Sequence, residues 1–195
     1  MSYKIWLENY LRHPLQLGSL FPSSVALSSL IIDHIKPYPS GVILELGAGT
    51  GNVTRSMVRK GIPEEKLVLL EKSLELSNFL RKSFPKAEVI CADAIDIDTL
   101  TCTLGIKEYD NVVSGIPLNL ITRDTRKIIF DKSFKLLRQG GSFVQLSFIP
   151  ICPIPDSVIA AYSAKKIYCG VSLRNVPTGF VWRVEKQEVV TQISN

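Results

Sequence analysis

The sequence lacks the features of a membrane-spanning or exported protein. None of its apolar stretches reaches the ~18 uninterrupted residues needed to cross a bilayer. Glu8 and Arg12 interrupt the only early apolar run, so no signal peptide is expected. Together these absences predict a cytoplasmic protein.

Potential metal ligands are also scarce. The chain has only two histidines, His13 and His34, and none of its four cysteines is spaced as Cys-x-x-Cys. A zinc site needs four such ligands close together, so no metal centre is expected. Dispersed thiols of this kind are typical of reduced core residues in a cytosolic protein.

What the chain does have is apolar bulk and positive charge. It contains 195 residues, of which 46% are hydrophobic, and its mean hydropathy is +0.18. These values predict one compact domain with a substantial core, without repeats or linkers. The net charge of +5 permits an anionic partner, either nucleic acid or a membrane face. Residues 121–140 carry six basic and two acidic side chains, but such charges are usually solvated and indicate no specific role.

The order of apolar runs predicts an α/β fold. Four short runs, each followed by a segment of helical character, lie at residues 42–46, 67–70, 87–91 and 111–113. Strands that alternate with helices of about ten residues indicate a mostly parallel sheet. A further strand is expected at 142–148, and residues 171–173 and 180–184 read as an antiparallel pair. We expect residues 41–195 to form this domain and residues 1–40 to add an N-terminal helical cap.

The most informative motif is a glycine loop after the first predicted strand. Residues 42–51 read Val-Ile-Leu-Glu-Leu-Gly-Ala-Gly-Thr-Gly, so a buried strand leads into three glycines at alternate positions. Glycines allow a tight turn and a close approach of a ligand to the backbone. Glu71 follows the second predicted strand, where an acid accepts hydrogen bonds from ribose hydroxyls, and a further acid, Asp93, follows the third. Because the spacing differs from Gly-x-Gly-x-x-Gly, we expect a nucleoside cofactor without a pyrophosphate.

This set of residues resembles the class I S-adenosylmethionine-dependent methyltransferases. The resemblance implies a Rossmann-like sheet of seven strands, mostly parallel with an antiparallel last strand, and S-adenosylmethionine as the cofactor. It implies that the loop holds the methionine part and that Glu71 binds the ribose. It also implies that Lys72 and Ser73 lie beside the adenine and that Asp93 and Ala94 face its amino group. The implied cofactor-binding residues are Glu45, Gly47, Ala48, Gly49, Thr50, Gly51, Glu71, Lys72, Ser73, Asp93, Ala94 and Ser114.

Two groups within this superfamily compete as the closer resemblance. In the ribosomal RNA adenine dimethyltransferases, an Asn, an apolar residue, a Pro and an aromatic residue clamp the target base. Aligned on Pro117, this chain has Gly115 at the amide position and Leu118 at the stacking position. Both adenine contacts are therefore missing, and a nucleic-acid acceptor becomes the alternative rather than the leading hypothesis.

The second group is the bacterial phospholipid N-methyltransferases, which methylate phosphatidylethanolamine. Residues 11–24, 113–118 and 173–177 look like this group. The resemblance implies that Ser114, Gly115, Ile116 and Pro117 place the amine beside the methyl group, through backbone carbonyls rather than through a dedicated base. It also implies Arg174 as the cation for the lipid phosphate, and His13 and Arg183 are further candidates.

The N-terminal residues fit a lipid substrate. Tyr3, Trp6, Leu7, Tyr10 and Leu11 share one face of a predicted helix over residues 2–12. Aromatic rings favour the membrane interface, and cations such as Arg12 favour anionic headgroups. Tyr3, Trp6, Arg12 and His13 are therefore expected to contact the membrane or the substrate, in a protein bound peripherally to the inner membrane face. The same pattern also fits an ordinary amphipathic helix that covers the cofactor pocket.

Overall fold

A computed structural model describes residues 24–35, 41–116, 118, 121–173 and 178–187. Six α-helices occur in these residues: α1 (Ser24–Ile32), α2 (Asn52–Arg59), α3 (Leu74–Ser83), α4 (Ile97–Thr103), α5 (Arg123–Leu136) and α6 (Asp156–Ala161). Seven strands accompany them: β1 (Ile43–Leu46), β2 (Leu67–Glu71), β3 (Glu88–Cys91), β4 (Tyr109–Ser114), β5 (Leu137–Ser147), β6 (Ala164–Ser172) and β7 (Gly179–Lys186). The chain thus alternates strands and helices, as its apolar runs predict.

The strands form one sheet in the order β3-β2-β1-β4-β5-β7-β6. Strands β1 to β5 pair in parallel, whereas β7 runs antiparallel to both of its neighbours, β5 and β6. The predicted fold class is therefore confirmed: a mostly parallel seven-stranded sheet with a reversed last strand. The order reverses beside β1, and in such sheets ligands bind at the carboxyl ends of the strands flanking this point.

Helices cover both faces of the sheet, which explains the nearly continuous apolar character of its central strands. Leu44 and Phe143 point towards a core that contains Phe130 and Phe134 of α5. Ile43 and Val144 point to the opposite face, where α1, α2 and α3 contribute residues such as Leu27, Met57 and Leu80. The rings of Phe134 and Phe143 stack with their centroids 5.8 Å apart. Two apolar layers thus hold the strand ends in fixed positions.

Two strands are longer than the sequence predicts. Strand β5 begins at Leu137, directly after α5, and β6 begins at Ala164, well before the expected residue 171. The early part of β6 carries the exposed Lys165 and Lys166 on the outermost strand of the sheet. Lysines on an edge strand discourage pairing with other chains, and they also conceal the strand from a search for apolar alternation.

The cysteine prediction needs correction. All four cysteines are free, but Cys102 is exposed and Cys91, Cys152 and Cys169 are only half-buried, so none is a fully buried core residue. The division into a cap over 1–40 and a domain over 41–195 stays a prediction, since residues 1–23 and 36–40 lie outside the described residues. Within the described part, no helix combines the length and apolar character needed to cross a bilayer.

Candidate active site

The acids and glycines predicted from the sequence meet at one edge of the sheet. Parallel register pairs Leu46 with Leu70 and Ser114, and Glu71 with Cys91, so the carboxyl ends of β1 to β4 lie side by side. The loops that leave these ends contain Gly47, Asp93 and Gly115. The sheet topology therefore assembles one site from segments that are distant in sequence.

The glycine loop has a backbone that other residues would adopt only with strain. Gly47, Gly49 and Gly51 have φ angles of 69°, 57° and 73°, in the left-handed region that favours glycine. A Cβ atom on Gly51 would also lie 2.5 Å from Cε2 of Phe84. The loop is anchored by Gly47, whose N–H donates to the carbonyl oxygen of Leu70 at 2.8 Å. The alternate glycines are thus required by conformation, and at Gly51 also by space.

Glu71 is held in a fixed orientation by backbone donors. Its Oε2 accepts a hydrogen bond from the Gly49 N–H and its Oε1 accepts one from the Ser73 N–H, both at 2.9 Å. The residue is 9% exposed and lines a cavity at the ends of β1 to β4. A carboxylate oxygen accepts more than one hydrogen bond, so Glu71 retains capacity to bind a ligand hydroxyl.

Asp93 lies on the same cavity and pairs with Lys72. The Lys72 Nζ is 2.7 Å from the Asp93 Oδ2, and Oδ1 accepts a hydrogen bond from the Ile95 N–H at 3.2 Å. The hydrogen bond from Lys72 holds the pKa of Asp93 below its usual value. The carboxylate is therefore ionised near neutral pH and can accept hydrogen bonds.

Glu45 differs from the other two acids because it is enclosed. Its Oε2 accepts a hydrogen bond of 2.6 Å from the Thr54 hydroxyl, and the residue is 2% exposed. Burial raises the pKa of Glu45 to about 8, although the Thr54 hydrogen bond opposes the shift. The residue lines a smaller cavity of about 130 Å³ together with Gly47, Ala48, Gly49 and Thr50. Glu45 thus provides a negative charge that depends on pH near neutrality.

The main cavity fits a nucleoside. It encloses about 530 Å³ and combines two carboxylates, Glu71 and Asp93, with apolar walls. The apolar wall residues are Leu70, Ala92, Ala94, Ile116, Ile121 and Ile129. Flat apolar walls suit a purine ring and fixed carboxylates suit ribose hydroxyls, while the glycine loop leaves space for the amino-acid part. Of the predicted cofactor-binding residues, Gly47, Glu71, Lys72, Asp93 and Ala94 line this cavity.

The loop after β4 closes one side of the cavity. The Gly115 N–H donates to the Leu46 carbonyl at 3.0 Å, and a Cβ on Gly115 would lie 3.1 Å from the Gly47 carbonyl oxygen. Ser114 is fully buried, and its hydroxyl has no hydrogen-bond partner among the described residues. Leu118 is 1% exposed and packs into the core on the α5 face.

Sequence reasoning missed Gln145, which supports this loop from beneath. It lies on β5 opposite Ser114, and it is fully buried. Its Nε2 donates to the carbonyl oxygens of Ile116 at 3.0 Å and Ser114 at 3.4 Å. A lone amide inside the predicted strand 142–148, between Val144 and Leu146, was the available signal, because a buried polar group must find a partner.

Six of the predicted site residues lie outside the described residues. They are Tyr3, Trp6, Arg12, His13, Pro117 and Arg174. Their roles in membrane contact, amine placement and phosphate binding stay predictions.

Comparisons with known proteins agree with this geometry. A family model described as a methyltransferase domain matches residues 43–141. The chain is 28% identical over 152 residues to an ornithine lipid N-methyltransferase from Singulisphaera acidiphila, covering 76% of this chain and 79% of that protein. It is 35% identical over 101 residues to a probable ribosomal RNA small subunit methyltransferase A from Methanosarcina acetivorans, covering 50% of this chain and 34% of the relative.

Solved structures with the same fold are also methyltransferases. A Burkholderia thailandensis 1,6-didemethyltoxoflavin-N1-methyltransferase with bound S-adenosylhomocysteine superposes with a TM-score of 0.68 at 14% identity, covering 93% of this chain and 86% of that one. An amino pentose methyltransferase from Micromonospora echinaspora, with bound S-adenosylmethionine, gives a TM-score of 0.60 at 14% identity, covering 84% and 90%. At this identity the likeness concerns the fold.

The family match covers the strands β1 to β4 and the loops that build the nucleoside-shaped cavity. The chain therefore belongs to the methyltransferase domain family and is an S-adenosylmethionine-dependent methyltransferase of class I.

Proposed function

We propose that this enzyme methylates the amine of phosphatidylethanolamine at a membrane surface. The observation that carries the proposal is the loop after β4, where neither group of an adenine clamp is available. The amide position is Gly115, and a Cβ there would already lie 3.1 Å from the Gly47 carbonyl oxygen. The stacking position is Leu118, whose side chain is buried in the core. A small aliphatic amine needs no base clamp, so this loop suits it better than a nucleobase.

The comparison with the Singulisphaera acidiphila protein supports a lipid acceptor. That relative is named an ornithine lipid N-methyltransferase, and the similarity spans three quarters of this chain. Ornithine lipid is therefore a second candidate acceptor. Both candidates present a primary amine on a lipid, and the loop after β4 does not distinguish them.

The chain's own residues carry out binding and orientation. When bound, S-adenosylmethionine supplies a methyl group already activated on a sulfonium, so the protein needs chiefly to place the acceptor and exclude water. Glu71 and Asp93 would accept hydrogen bonds from the ribose and the adenine amino group. Gln145 fixes the carbonyls of Ser114 and Ile116, and we infer that the loop 114–117 orients the amine.

The amine must be neutral before it reacts. A primary alkyl ammonium has a pKa near 10 in water, and its proton blocks the lone pair. Transfer into a closed apolar pocket disfavours the charged form and lowers this pKa. Ile116, which lies in the loop that would orient the amine, would contribute to such an environment, so a dedicated base is not required.

The membrane part of the proposal rests on the helix predicted over residues 2–12, which lies outside the described residues. Its aromatic face and Arg12 suit an anionic bilayer surface. Deleting residues 1–12 is expected to abolish binding to anionic vesicles. Unchanged vesicle binding after this deletion would exclude the membrane role of the segment.

One assay tests the acceptor directly. Purified protein is incubated with methyl-labelled S-adenosylmethionine and, in parallel, with phosphatidylethanolamine vesicles, ornithine lipid vesicles or unmodified ribosomal RNA. We expect label in phosphatidylethanolamine. Label in ornithine lipid alone would make ornithine lipid the acceptor in place of phosphatidylethanolamine, and the enzyme would still be a lipid N-methyltransferase. Label in RNA alone would overturn the proposal in favour of the ribosomal RNA relatives.

A further inference from the structure

A second cavity lies beside the cofactor cavity and is not used by the site described so far. It encloses about 660 Å³ between the first turns of α5, the segment 150–157 and strand β7. Its charged lining residues are Arg123, Asp124, Arg126, Lys127, Asp156 and Lys166. Four of these are cationic and two are acidic, so the lining carries a net charge of +2.

The cavity has two arginines available for a ligand. Lys127 pairs with Asp131, and Lys166 pairs with Asp156 at 3.0 Å. Among the described residues, by contrast, Arg123 and Arg126 form no ion pair. The Nε of Arg126 is buried and, within the same part of the chain, has no hydrogen-bond partner. The Nη2 of Arg126 donates a long hydrogen bond to the Ile121 carbonyl oxygen at 3.4 Å, whereas a guanidinium binds an anion through shorter, charge-assisted bonds.

The two cavities share helix α5. Thr122, Thr125 and Ile129 line the cofactor cavity, whereas Arg123, Arg126 and Lys127 line the second one. The helix therefore presents one side to each cavity. A ligand group held by these cations would therefore lie across α5 from the cofactor cavity.

The strand pairing also places the second cavity close to the loop after β4. Ser114 is paired with Gln145, and Gln145 is paired with Trp182, which lines the second cavity. Directly paired residues share one face of the sheet, and two strand spacings separate Ser114 from Trp182 by about 10 Å. The indole N–H of Trp182 is buried and has no hydrogen-bond partner among the described residues, so it is a further unused donor.

The outer side of the cavity is apolar and exposed. Ile151 is 63% exposed and lies between Pro150 and Cys152 in the lining segment. Ser147 holds this segment in place, because its hydroxyl bonds to the carbonyl oxygens of Ile149 at 2.8 Å and Ile151 at 3.3 Å. An apolar rim next to the cations that line this cavity matches a molecule with an anionic group between an amine and acyl chains.

We propose that this second cavity binds the anionic group of the lipid acceptor and thereby positions its amine at the loop 114–117. The group is the phosphate diester of a phospholipid or the carboxylate of an amino-acid lipid, and arginine binds either through paired N–H groups. The assignment rests on the proposed function. It differs from the sequence-based expectation, in which Arg174, His13 or Arg183 takes this role and the basic segment 121–140 has none.

The test replaces both arginines by glutamine, Arg123→Gln/Arg126→Gln, and measures rates against the mole fraction of phosphatidylethanolamine in vesicles. Loss of charge-assisted hydrogen bonds is expected to raise the KM for lipid about tenfold or more. The Kd for S-adenosylhomocysteine should stay within about twofold of the parent value. Lys135→Gln is the matched control, because it removes one exposed charge from the same helix away from the cavity.

A soluble probe separates the sources of binding. Glycerophosphoethanolamine, inorganic phosphate and ethanolamine are titrated into the parent and the double variant by calorimetry. We expect the double variant to lose binding of glycerophosphoethanolamine and to show unchanged binding of ethanolamine. Equal affinity of the parent for inorganic phosphate and glycerophosphoethanolamine would reduce the site to a general anion site and overturn the assignment to the lipid.

The outcomes separate the two proposals. If the parent methylates no lipid, the proposed function fails and this assignment fails with it. If the parent methylates lipid and the double variant keeps the parent KM, only the cavity assignment fails. Arg123→Gln alone provides a check on folding, because Arg123 is exposed and its single replacement should still raise the KM by a few-fold.

Discussion

The cofactor-binding half and the acceptor-binding half of the site lie at the same edge of the sheet, but one depends on backbone groups and the other on side chains. The cofactor half, formed by the ends of β1, β2 and β3, relies on the backbone: three left-handed glycines and N–H groups that fix Glu71. The acceptor half, formed by β4, β5, β7 and α5, relies on side chains, including Gln145, Trp182 and the arginines of the second cavity. The fixed cofactor requires one backbone shape, whereas the acceptor is selected by replaceable side chains.

This difference predicts that damage to the two halves is separable. Variants of the cofactor half should weaken binding of S-adenosylmethionine whatever the acceptor. Variants of the acceptor half should leave that binding unchanged and alter turnover or the KM for lipid. The following substitutions test this separation in order of decreasing effect.

The largest effect is expected for Glu71→Ala. The change removes the carboxylate that would bind the ribose and leaves the N–H groups of Gly49 and Ser73 without their acceptor. Loss of the charge-assisted hydrogen bonds from the ribose hydroxyls to this carboxylate should raise the Kd for S-adenosylmethionine about 100-fold or more. Calorimetry measures this directly. Glu75→Ala removes the same charge from an exposed position in the first turn of α3 and should bind normally. If Glu71→Ala binds S-adenosylmethionine nearly as well as the parent, Glu71 does not bind the ribose.

The next effect belongs to the acceptor half. Gln145→Glu keeps the size of the side chain but replaces the donor that holds the carbonyls of Ser114 and Ile116. Burial disfavours the charged form, so the carboxylate is ionised chiefly at alkaline pH, where it would repel these oxygens. There kcat should fall about tenfold to 100-fold, with the Kd for S-adenosylmethionine within about twofold. A protonated carboxyl can donate again. The ratio of variant to parent activity should therefore rise as the pH falls.

A pH-independent ratio would mean that Gln145 acts only through general packing. Gln145→Leu is the companion variant, because it removes both the donor and the Oε1 atom, which has no hydrogen-bond partner among the described residues. It should fold well and remain slow at every pH. Recovery of activity at low pH by Glu but not by Leu would identify the hydrogen bond as the positioning element.

The same contrast explains which parts of the site the sequence could predict. A residue such as Gly51 is constrained locally, by its φ angle and by the nearby Phe84 ring, so the pattern in the chain reveals its role. Glu71 and Asp93 were predictable because strand ends mark them. Gln145 depends on a contact across 29 residues with Ile116, and no local pattern identifies that partner.

The fold was predictable for the same reason. Buried parallel strands such as β1 and β2 are short apolar runs between turns, and their pattern is local. The beginning of β6 was not predicted because this part of the strand carries exposed lysines, so it lacks the alternating apolar pattern of a strand. The second cavity was missed because its cations come from α5 and β6, and only the tertiary fold brings them together.

A smaller effect is expected from Glu45, which links cofactor binding to pH. In the folded enzyme its pKa is raised to about 8 by burial, so the neutral form dominates at pH 7 and the carboxylate at pH 9. The ionised form attracts the cationic cofactor. The affinity for S-adenosylmethionine should therefore increase on the order of fivefold between pH 7 and 9. Glu45→Gln should flatten this dependence, and a parental slope in the variant would exclude Glu45 as its source.

The stability of the unliganded enzyme should change in the opposite direction. A raised pKa means that the stabilisation is fully present below the ordinary value of 4.5 and is lost as the pH rises through about 8. The Tm of the parent should thus decline over this range more steeply than that of Glu45→Gln. Thermal unfolding at several pH values measures the difference between the two slopes.

The smallest effect is expected for Lys72→Gln, which removes the partner of Asp93. The Lys72 side chain is 78% exposed, and an exposed ion pair contributes at most about 1 kcal/mol. The Kd for S-adenosylmethionine should rise less than about fivefold, and the difference should shrink in high salt because the pair is screened. Binding is measured by calorimetry at low and high ionic strength. A tenfold loss that persists in high salt would show that Lys72 holds the cofactor directly. The cofactor half would then depend on a flexible side chain as well as on the backbone, and its contrast with the acceptor half would be weaker.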